Sequence, residues 1–497
     1  MNVGNWSTLG RLFAGAPLII GGLLSGGCAV GPDFHRPIPA IPERLTASTL
    51  PTQTEGGERP DDRPQRLVTP DVSGESWWVQ FGSPDVNRLV EQALSRNPTI
   101  AAAQAALRQA QEIAAAQRGA FFPAVQAGYS ATRGRVADSV SSPLASSQSV
   151  YSLHTAQVSV GYVLDVFGGN RRSVESLDAQ AESQRLQLRA ARISLAANVI
   201  NAALQEASLR EQLVATERIA AIGAHQLALL QTQRRLGAVP GAAVYAQEAA
   251  FRQSEAAAAG IKKQLAQQRD LLAVLTGVNP ADFSARVPSL SSLRLPDVPV
   301  VVPGWLVDHR PDVRAAEAQL HAANAQVGVA VANMLPQIGL TADFGASAEW
   351  LGKLFQAGGL LWNIGANVAQ PIFQGGQLVH RERAAQAQLD QALAQYQSIV
   401  LTAFQNVADA LEAVHLDAEQ YVAASRQQTA AEKSLQIARR QVELGDVNYI
   451  VLLNAEAAAL QASITRTQAA SSRFSDVVAI YQALGGGWDE GVKTAVE

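Results

Sequence analysis

Apolar residues recur along this chain at one of two spacings, and the spacing sorts it into two kinds of element. Strict alternation marks a strand whose two faces meet different surroundings. It occurs four times: at Val125, Ala127, Tyr129 and Ala131; at Ala156, Val158, Val160, Tyr162, Leu164 and Val166; at Ile338, Leu340, Ala342, Phe344 and Ala346; and at Leu360, Trp362, Ile364, Ala366 and Val368. The intervening positions are mostly Gln, Gly, Ser, Thr, Asn or Asp, with Val163 the exception in the second stretch. The pattern predicts strands over about 123–133, 155–167, 336–347 and 360–371. Each is about the 9–11 residues that a tilted strand needs to cross a bilayer. A water-soluble sheet with one face on a core alternates in the same way. The polar faces here are uncharged or acidic, however, and residues 354–379 contain no charge, which favours an apolar-out, polar-in barrel wall. Open strand edges cannot exist in lipid, so four strands require further copies of the chain to close the sheet.

The second spacing is helical. Residues 170–236 and 377–444 contain no Pro and almost no Gly, and at 1.5 Å per residue each predicts a helix of roughly 100 Å. In the second, Leu389, Leu393, Tyr396, Val400, Ala403, Val407, Leu411, Val414, Ala418 and Tyr421 recur at threes and fours, a coiled-coil seam with one stutter. Ala fills many other positions, which allows neighbours on more than one face. A solid bundle or stalk is the plain alternative to a wall of helices. The remaining positions are largely Gln, Asn and Ser, suited to a water-filled conduit without a strong field.

The two patterns occur twice in the same order. Asn97-Pro98, Ala102, Ala103, Leu107 and Pro123 match Arg310-Pro311, Ala315, Ala316, Leu320 and Pro336 at a separation of 213; Phe167, Gly169 and Gln180 match Phe373, Gly375 and Gln386 at 206; Leu236-Gly237 and Glu248-Ala249 match Leu444-Gly445 and Glu456-Ala457 at 208. Ordered anchors with small offset changes indicate a duplication. The expected organisation is a first repeat over 85–276 and a second over 305–484. Each runs helix, two strands, long helix, tight turn, helix. A Pro- and Val-rich connector at 277–304 separates them, a Pro-, Thr- and Asp-rich arm at 28–84 precedes them without regular structure over 32–75, and a short tail at 485–497 follows.

Composition narrows the class. Charged residues are 16%, against about 25% in ordinary domains, while 47% are hydrophobic and only 6% aromatic. Disorder is excluded, a net charge of −4 gives no reason to expect nucleic acid, and no run of about 18 apolar residues follows residue 28. Residues 1–27 read as a secretory signal: Arg11, then an apolar stretch from Leu12 to Leu24, then Ser25-Gly26-Gly27. The single cysteine, Cys28, follows at once. A lone cysteine is ordinarily a buried apolar residue. At the end of a signal it reads instead as a lipobox thiol that takes a diacylglycerol, although Ser25 stands where an aliphatic residue is usual. Ala29 follows, where Asp would favour the inner membrane. No disulfide framework is possible.

Several blocks together resemble the TolC-like outer-membrane efflux family, in its lipoprotein branch serving resistance-nodulation-division pumps (NodT-like): C-A-V-G-P-D-F-H-R-P at 28–37, P-G-W-L-V-D-H-R-P-D-V-R-A-A-E-A-Q at 303–319, I-F-Q-G-G at 372–376 and Y-Q-A-L-G-G-G-W at 481–488. The resemblance implies a mixed, mainly α fold, in which a homotrimer forms a 12-stranded outer-membrane β-barrel and a long α-helical periplasmic tunnel. It implies a passive exit duct for drugs or toxic small molecules, with a periplasmic membrane-fusion adaptor and an inner-membrane pump as partners, no catalysis, no metal, and no cofactor beyond the lipid on Cys28. It places adaptor-contacting hairpin tips at Leu236, Gly237, Val239 and Pro240 (236–241) and at Leu444, Gly445, Val447 and Tyr449 (444–449). A periplasmic aperture would form at Asp446, Ile450 and Asn454. Ile450 matches the family's narrowest apolar ring. Asn454 stands where the family has an acidic ring, which puts cation blocking there in doubt, and Asp446 is the candidate substitute.

Two other functions fit parts of the pattern: the outer-membrane component of type I protein secretion, and a lipid-anchored coiled-coil scaffold with no pore. The histidines at 35, 154, 225, 309, 321, 380 and 415 form no H-E-x-x-H or Cys/His cluster. His309-Arg310-Pro311-Asp312 suits a helix start. Trp77, Trp78 and Trp488 are expected to pack in the body of the helical region.

Overall fold

The computed structural model describes residues 29–486 apart from 43, 47–50, 60–61, 69–75, 136, 138–148, 301–302 and 357. Cys28, the signal segment and Trp488 lie outside the described residues. In chain order the elements are β1 (Leu67–Val68), α1 (Pro84–Arg96), α2 (Pro98–Arg118), β2 (Ala124–Arg135), β3 (Val150–Leu164), α3 (Gly169–Arg235), α4 (Gly241–Leu275), β4 (Val298–Pro299), α5 (Pro303–His309), α6 (Pro311–Ala332), β5 (Gln337–Ala348), β6 (Leu360–Ala369), α7 (Gln377–Leu444) and α8 (Tyr449–Ala483). The chain divides into two compact units. One holds residues 1–37, 107–183 and 317–395, and the other holds 38–106, 184–316 and 396–497.

The first unit contains a four-stranded antiparallel sheet in the order β2-β3-β5-β6. Its register brings every apolar set onto one face. Val125 pairs with Val160, Val160 with Ala342 and Ala342 with Ile364, while Ala127, Val158, Phe344 and Trp362 form the next row. Ile364 is 75% exposed and Trp362 68%, so no protein core covers this face. Because the side-chain period in a strand is two, one register slip would reverse the faces; none occurs. The outer strands β2 and β6 have no partner on their far sides among the described residues.

The arm begins on this unit. The Val30 amide donates to the Phe167 carbonyl at 3.0 Å, and Asn324 Nδ2 donates to the Pro32 carbonyl at 2.9 Å. Arg172, only 5% exposed, ties Asp33 (2.6 Å) to Glu175 (2.9 Å). The guanidinium holds the Asp33 carboxyl below its usual range. Burial alone would raise Glu175, but His321 and Arg172 together bring it down. His321 meets Glu175 at 2.8 Å and stacks on Phe34 with ring centroids 4.4 Å apart. Gly31, at φ +90°, lies where a Cβ would strike the Gly328 backbone. The arm therefore enters the fold as a fitted segment.

The second unit contains the main apolar core. Trp77, Trp78 and Phe81 pack with Leu89 and Val90 of α1, Ile200 and Leu204 of α3, Leu272 of α4, and Val477, Val478 and Tyr481 of α8. Trp77 stacks on Tyr481 at 5.0 Å. One stretch of α3 is long and apolar enough, on composition alone, for a spanning helix. A separate apolar stretch of the same helix, from Leu195 to Ala207, contributes to this core. The expectation of an arm without regular structure needs correcting: β1 pairs in parallel with β4 of the connector, and Gln53 bridges Arg66. Backbone donors near a packed surface need partners, and these short ladders supply them. The helix opening each repeat is also broken in two, at Asn97-Pro98 and at Arg310-Pro311, because Pro disfavours the α conformation in the residue before it.

A buried polar cluster sits where residues 62–65 of the arm meet α7 and α8. Asp62 accepts from Ser425 at 2.5 Å, and Arg473 lies over the Tyr421 ring at 4.8 Å and donates to Gln65 at 3.2 Å. Beside it, burial and then the negative charge of Asp417 push the Asp476 carboxyl up to about 7. One Asp476 oxygen is buried without a hydrogen-bond partner among the described residues. A raised carboxyl pKa means that the folded chain keeps a proton which the unfolded chain loses from about pH 4 upward. Its contribution is full below that pH and lost as pH rises toward 7. Asp476→Asn should therefore flatten the pH dependence of the thermal transition between pH 4 and 8 and raise the transition at pH 8. Circular-dichroism melts across that range provide the check.

Candidate functional site

The two helical hairpins of the second unit turn by the same device. At the first, α3 ends at Arg235, Gly237 takes φ +74°, and the Ala238 amide donates to the Gln233 carbonyl at 2.8 Å. At the second, α7 ends at Leu444, Gly445 takes φ +78°, and the Asp446 amide donates to the Gln441 carbonyl at 2.9 Å. Both are Schellman closures, in which a left-handed glycine lets the chain satisfy the last helical carbonyls. The next helices start differently. Pro240 precedes α4 without a side-chain cap, whereas Asn448 caps α8 by accepting from the Val451 amide at 3.2 Å.

The tips expose apolar side chains. Leu236 is 79% exposed and Leu444 61%; Tyr449 is also exposed, while Val239 and Val447 are half-buried. Leu-Gly-x-Val is thus presented twice in matching form. Ile450 and Asn454 fall four apart on α8 and so share a helix face. Asp446 lies in the turn before the Asn448 cap, exposed, and is not a further helical position on that face.

Asn454 is anchored sideways. Its Oδ1 accepts from Gln226 Nε2 of α3 at 2.9 Å, and Gln226 Oε1 accepts from Gln247 Nε2 of α4, also at 2.9 Å. His225 stands edge-on to Tyr449 at 5.6 Å, Arg218 pairs with Glu456 at 3.3 Å, and Gln468 Nε2 donates to Gln212 at 2.8 Å. These contacts brace α8 against α3 within one chain. Sequence reasoning did not identify Gln226, Gln247 or His225. They are three polar residues among many on Ala- and Gln-rich helices, and nothing in their spacing sets them apart.

In the first unit, the polar face of the sheet carries Gln157 and Ser159 of β3 and Asp343 of β5. Gln157 donates to Ser159 at 3.1 Å, and Ser159 donates to Asp343 at 2.6 Å. Thr155 and Ser347 meet at 3.1 Å. Hydroxyl, amide and one carboxylate make this face polar, opposite in character to the apolar face.

The His309–Asp312 segment is structural. His309 stacks on Trp305 at 4.2 Å, and Arg310 holds Asp312 at 2.7 Å and the Ala483 carbonyl at 2.5 Å. Among the described residues no group of three or more His, Cys, Asp or Glu is placed to hold a metal ion.

Known proteins resemble the chain over most of its length. The family model described as "Outer membrane efflux protein" matches residues 89–278 and 303–486. The Pyoverdine export outer membrane protein OpmQ of Pseudomonas putida is 27% identical over 454 residues, covering 89% of this chain and 95% of that protein. Outer membrane protein OprJ of Pseudomonas aeruginosa is 28% identical over 482 residues, 96% of each. The outer-membrane channel OprN superposes with a TM-score of 0.79 at 28% identity, over 93% of this chain and all of that one. The Campylobacter jejuni CmeC channel shares the fold at a TM-score of 0.82 and 22% identity, over 93% and 96%.

Proposed function

Because the chain belongs to the outer membrane efflux protein family, we propose that it is the passive exit duct of a tripartite efflux system, releasing toxic small molecules across the outer membrane and supplying no energy itself. One observation carries the reading: a four-stranded sheet with an uncovered apolar face on one side, hydroxyls and amides on the other, and two open edges. Lipid does not tolerate unpaired edges, so β6 of one copy must meet β2 of the next until the ring closes. Three copies close it in the homotrimer that the resemblance implies. The exposed Leu236, Leu444 and Tyr449, with the glycine turns behind them, are the surface offered to a periplasmic adaptor, whose own partner is an inner-membrane pump. The reading assigns no reaction to the chain. The relatives named for pyoverdine export and for efflux of toluene support a small-molecule cargo.

The aperture reading assigns constriction to Ile450 and Asn454, with Asp446 in the adjoining turn. The amide chain Asn454–Gln226–Gln247 holds α8 in place. In planar bilayers the purified protein should conduct weakly, and Ile450→Ser, Asp446→Ala or Gln226→Ala should raise basal conductance severalfold. A wild-type oligomer that forms no pore, even with these residues replaced, refutes the duct. Unchanged conductance in all three variants refutes the aperture alone.

Cys28 is the proposed lipid attachment point. In sequence it directly precedes Ala29, which rests against Gly168 in the turn after β3. Cys28→Ser should abolish palmitate labelling while the protein still reaches the outer membrane. Labelling that persists would remove the assignment.

A further inference from the structure

The apolar face of β2 changes character near its far end. Val125, Ala127, Tyr129 and Ala131 occupy it, and the next two residues on the same face are Arg133 and Arg135. The register with β3 runs unbroken from Ala124 opposite Gly161 to Arg135 opposite Val150, so no bulge turns the arginines toward the polar face. Side-chain contacts agree. Tyr129 and His154, both on the apolar face, meet at 2.8 Å, whereas Tyr151 packs at Gly134 on the other. Arg133 and Arg135 are exposed, and neither has a hydrogen-bond or ion-pair partner among the described residues.

Their depth follows from strand geometry. A rise of about 3.4 Å per residue and a tilt of about 40° advance β2 by roughly 2.6 Å per residue along the membrane normal. Arg133 then lies about 21 Å from Val125 and Arg135 about 26 Å, against an apolar band about 25 Å tall. Because β2 starts from the helical end of its unit, its other end points into the outer leaflet. The two arginines stand at head-group level, their Cα atoms about 7 Å apart, facing lipid. An arginine there, without a protein partner among the described residues, is suited to a phosphate, which it grips with two parallel hydrogen bonds.

We propose that Arg133 and Arg135, with Tyr129 and His154 beneath them, bind the phosphorylated sugar head group of an outer-leaflet glycolipid. Two cations in one row fit a head group bearing more than one phosphate. The Tyr129 ring offers an amphipathic surface at the boundary where a sugar meets its acyl chains. This inference rests on the outer-membrane orientation given above.

The test uses the full chain extracted from outer membranes in mild detergent. Lipid A retained by the oligomer is quantified by mass spectrometry, and rebinding is measured with added lipid A, phosphatidylglycerol or inorganic phosphate. The wild type should retain lipid A and rebind it in preference to the other two. R133A/R135A should retain about tenfold less and still form the heat-sensitive oligomer, with R133K/R135K in between. Should the double variant not assemble, the single variants Arg133→Gln and Arg135→Gln are read in the same way. Equal retention by the variants, or equal rebinding of phosphatidylglycerol or phosphate, overturns the proposal while leaving the duct intact. A wild type absent from the outer-membrane fraction overturns the orientation as well.

Discussion

Ile364→Arg is expected to abolish the membrane-inserted oligomer. Ile364 stands near the middle of β6, in the row that runs Val125, Val160, Ala342, Ile364, and it is among the most exposed of the large apolar residues. An arginine on the lipid-facing side of a strand costs up to about 2–4 kcal/mol, depending on depth, and every copy in the ring bears it. The neighbouring Asn363 pairs with Asp343 on the polar face. Asn363→Arg should therefore assemble normally and shift ion selectivity toward anions. Heat-modifiable mobility on gels reads assembly, and reversal potentials read selectivity. If Ile364→Arg assembled as well as Asn363→Arg, the facing of the whole sheet would be wrong, because the two positions differ only by the side of one strand.

Trp77→Ala should be the most damaging single truncation in the second unit. Trp77 is 1% exposed, stacked on Tyr481 and set edge-on to Trp78 and Phe81. Its indole nitrogen is buried without a hydrogen-bond partner among the described residues, so the loss is one of packing. Removing a ring of that size from a closed core costs about 3–5 kcal/mol. The expected results are a much lower thermal transition and little mature protein in the membrane. Trp77→Phe keeps most of the contact area and should retain most of both. Tyr481, whose hydroxyl donates to Gln80 at 2.6 Å and is pushed up to about 12 by burial, would lose the ring that it stacks on.

The sequence made the sheet legible for a specific reason. A strand between lipid and water has unlike faces, so Val125 to Ala131 and Leu360 to Val368 carry the alternation openly. The glycines of the tips were legible too, since a helix that must reverse needs a left-handed residue, and Gly237 and Gly445 stood at matching places in two repeats. Pro98 and Pro311 mark helix starts in the sequence, and α2 and α6 begin at them. What stayed hidden depends on which helices lie side by side. Nothing in the spacing of Gln226 points to Asn454, 228 positions away. Nor does Arg172 announce that it joins Asp33 to Glu175. Polar contacts between distant segments leave no period behind. The pairing of Leu67 with Val298 was missed for the same reason: two residues are too few to alternate.

The open edges of the sheet have a genetic consequence. A ring closes only when β6 of each copy meets β2 of the next, so a single copy with a ruined edge leaves the whole ring unclosed. Co-expressed with the normal chain, such a copy would poison mixed rings far beyond its own share of the pool. Damage at β2 or β6 should therefore behave as dominant, and damage at the hairpin tips as graded.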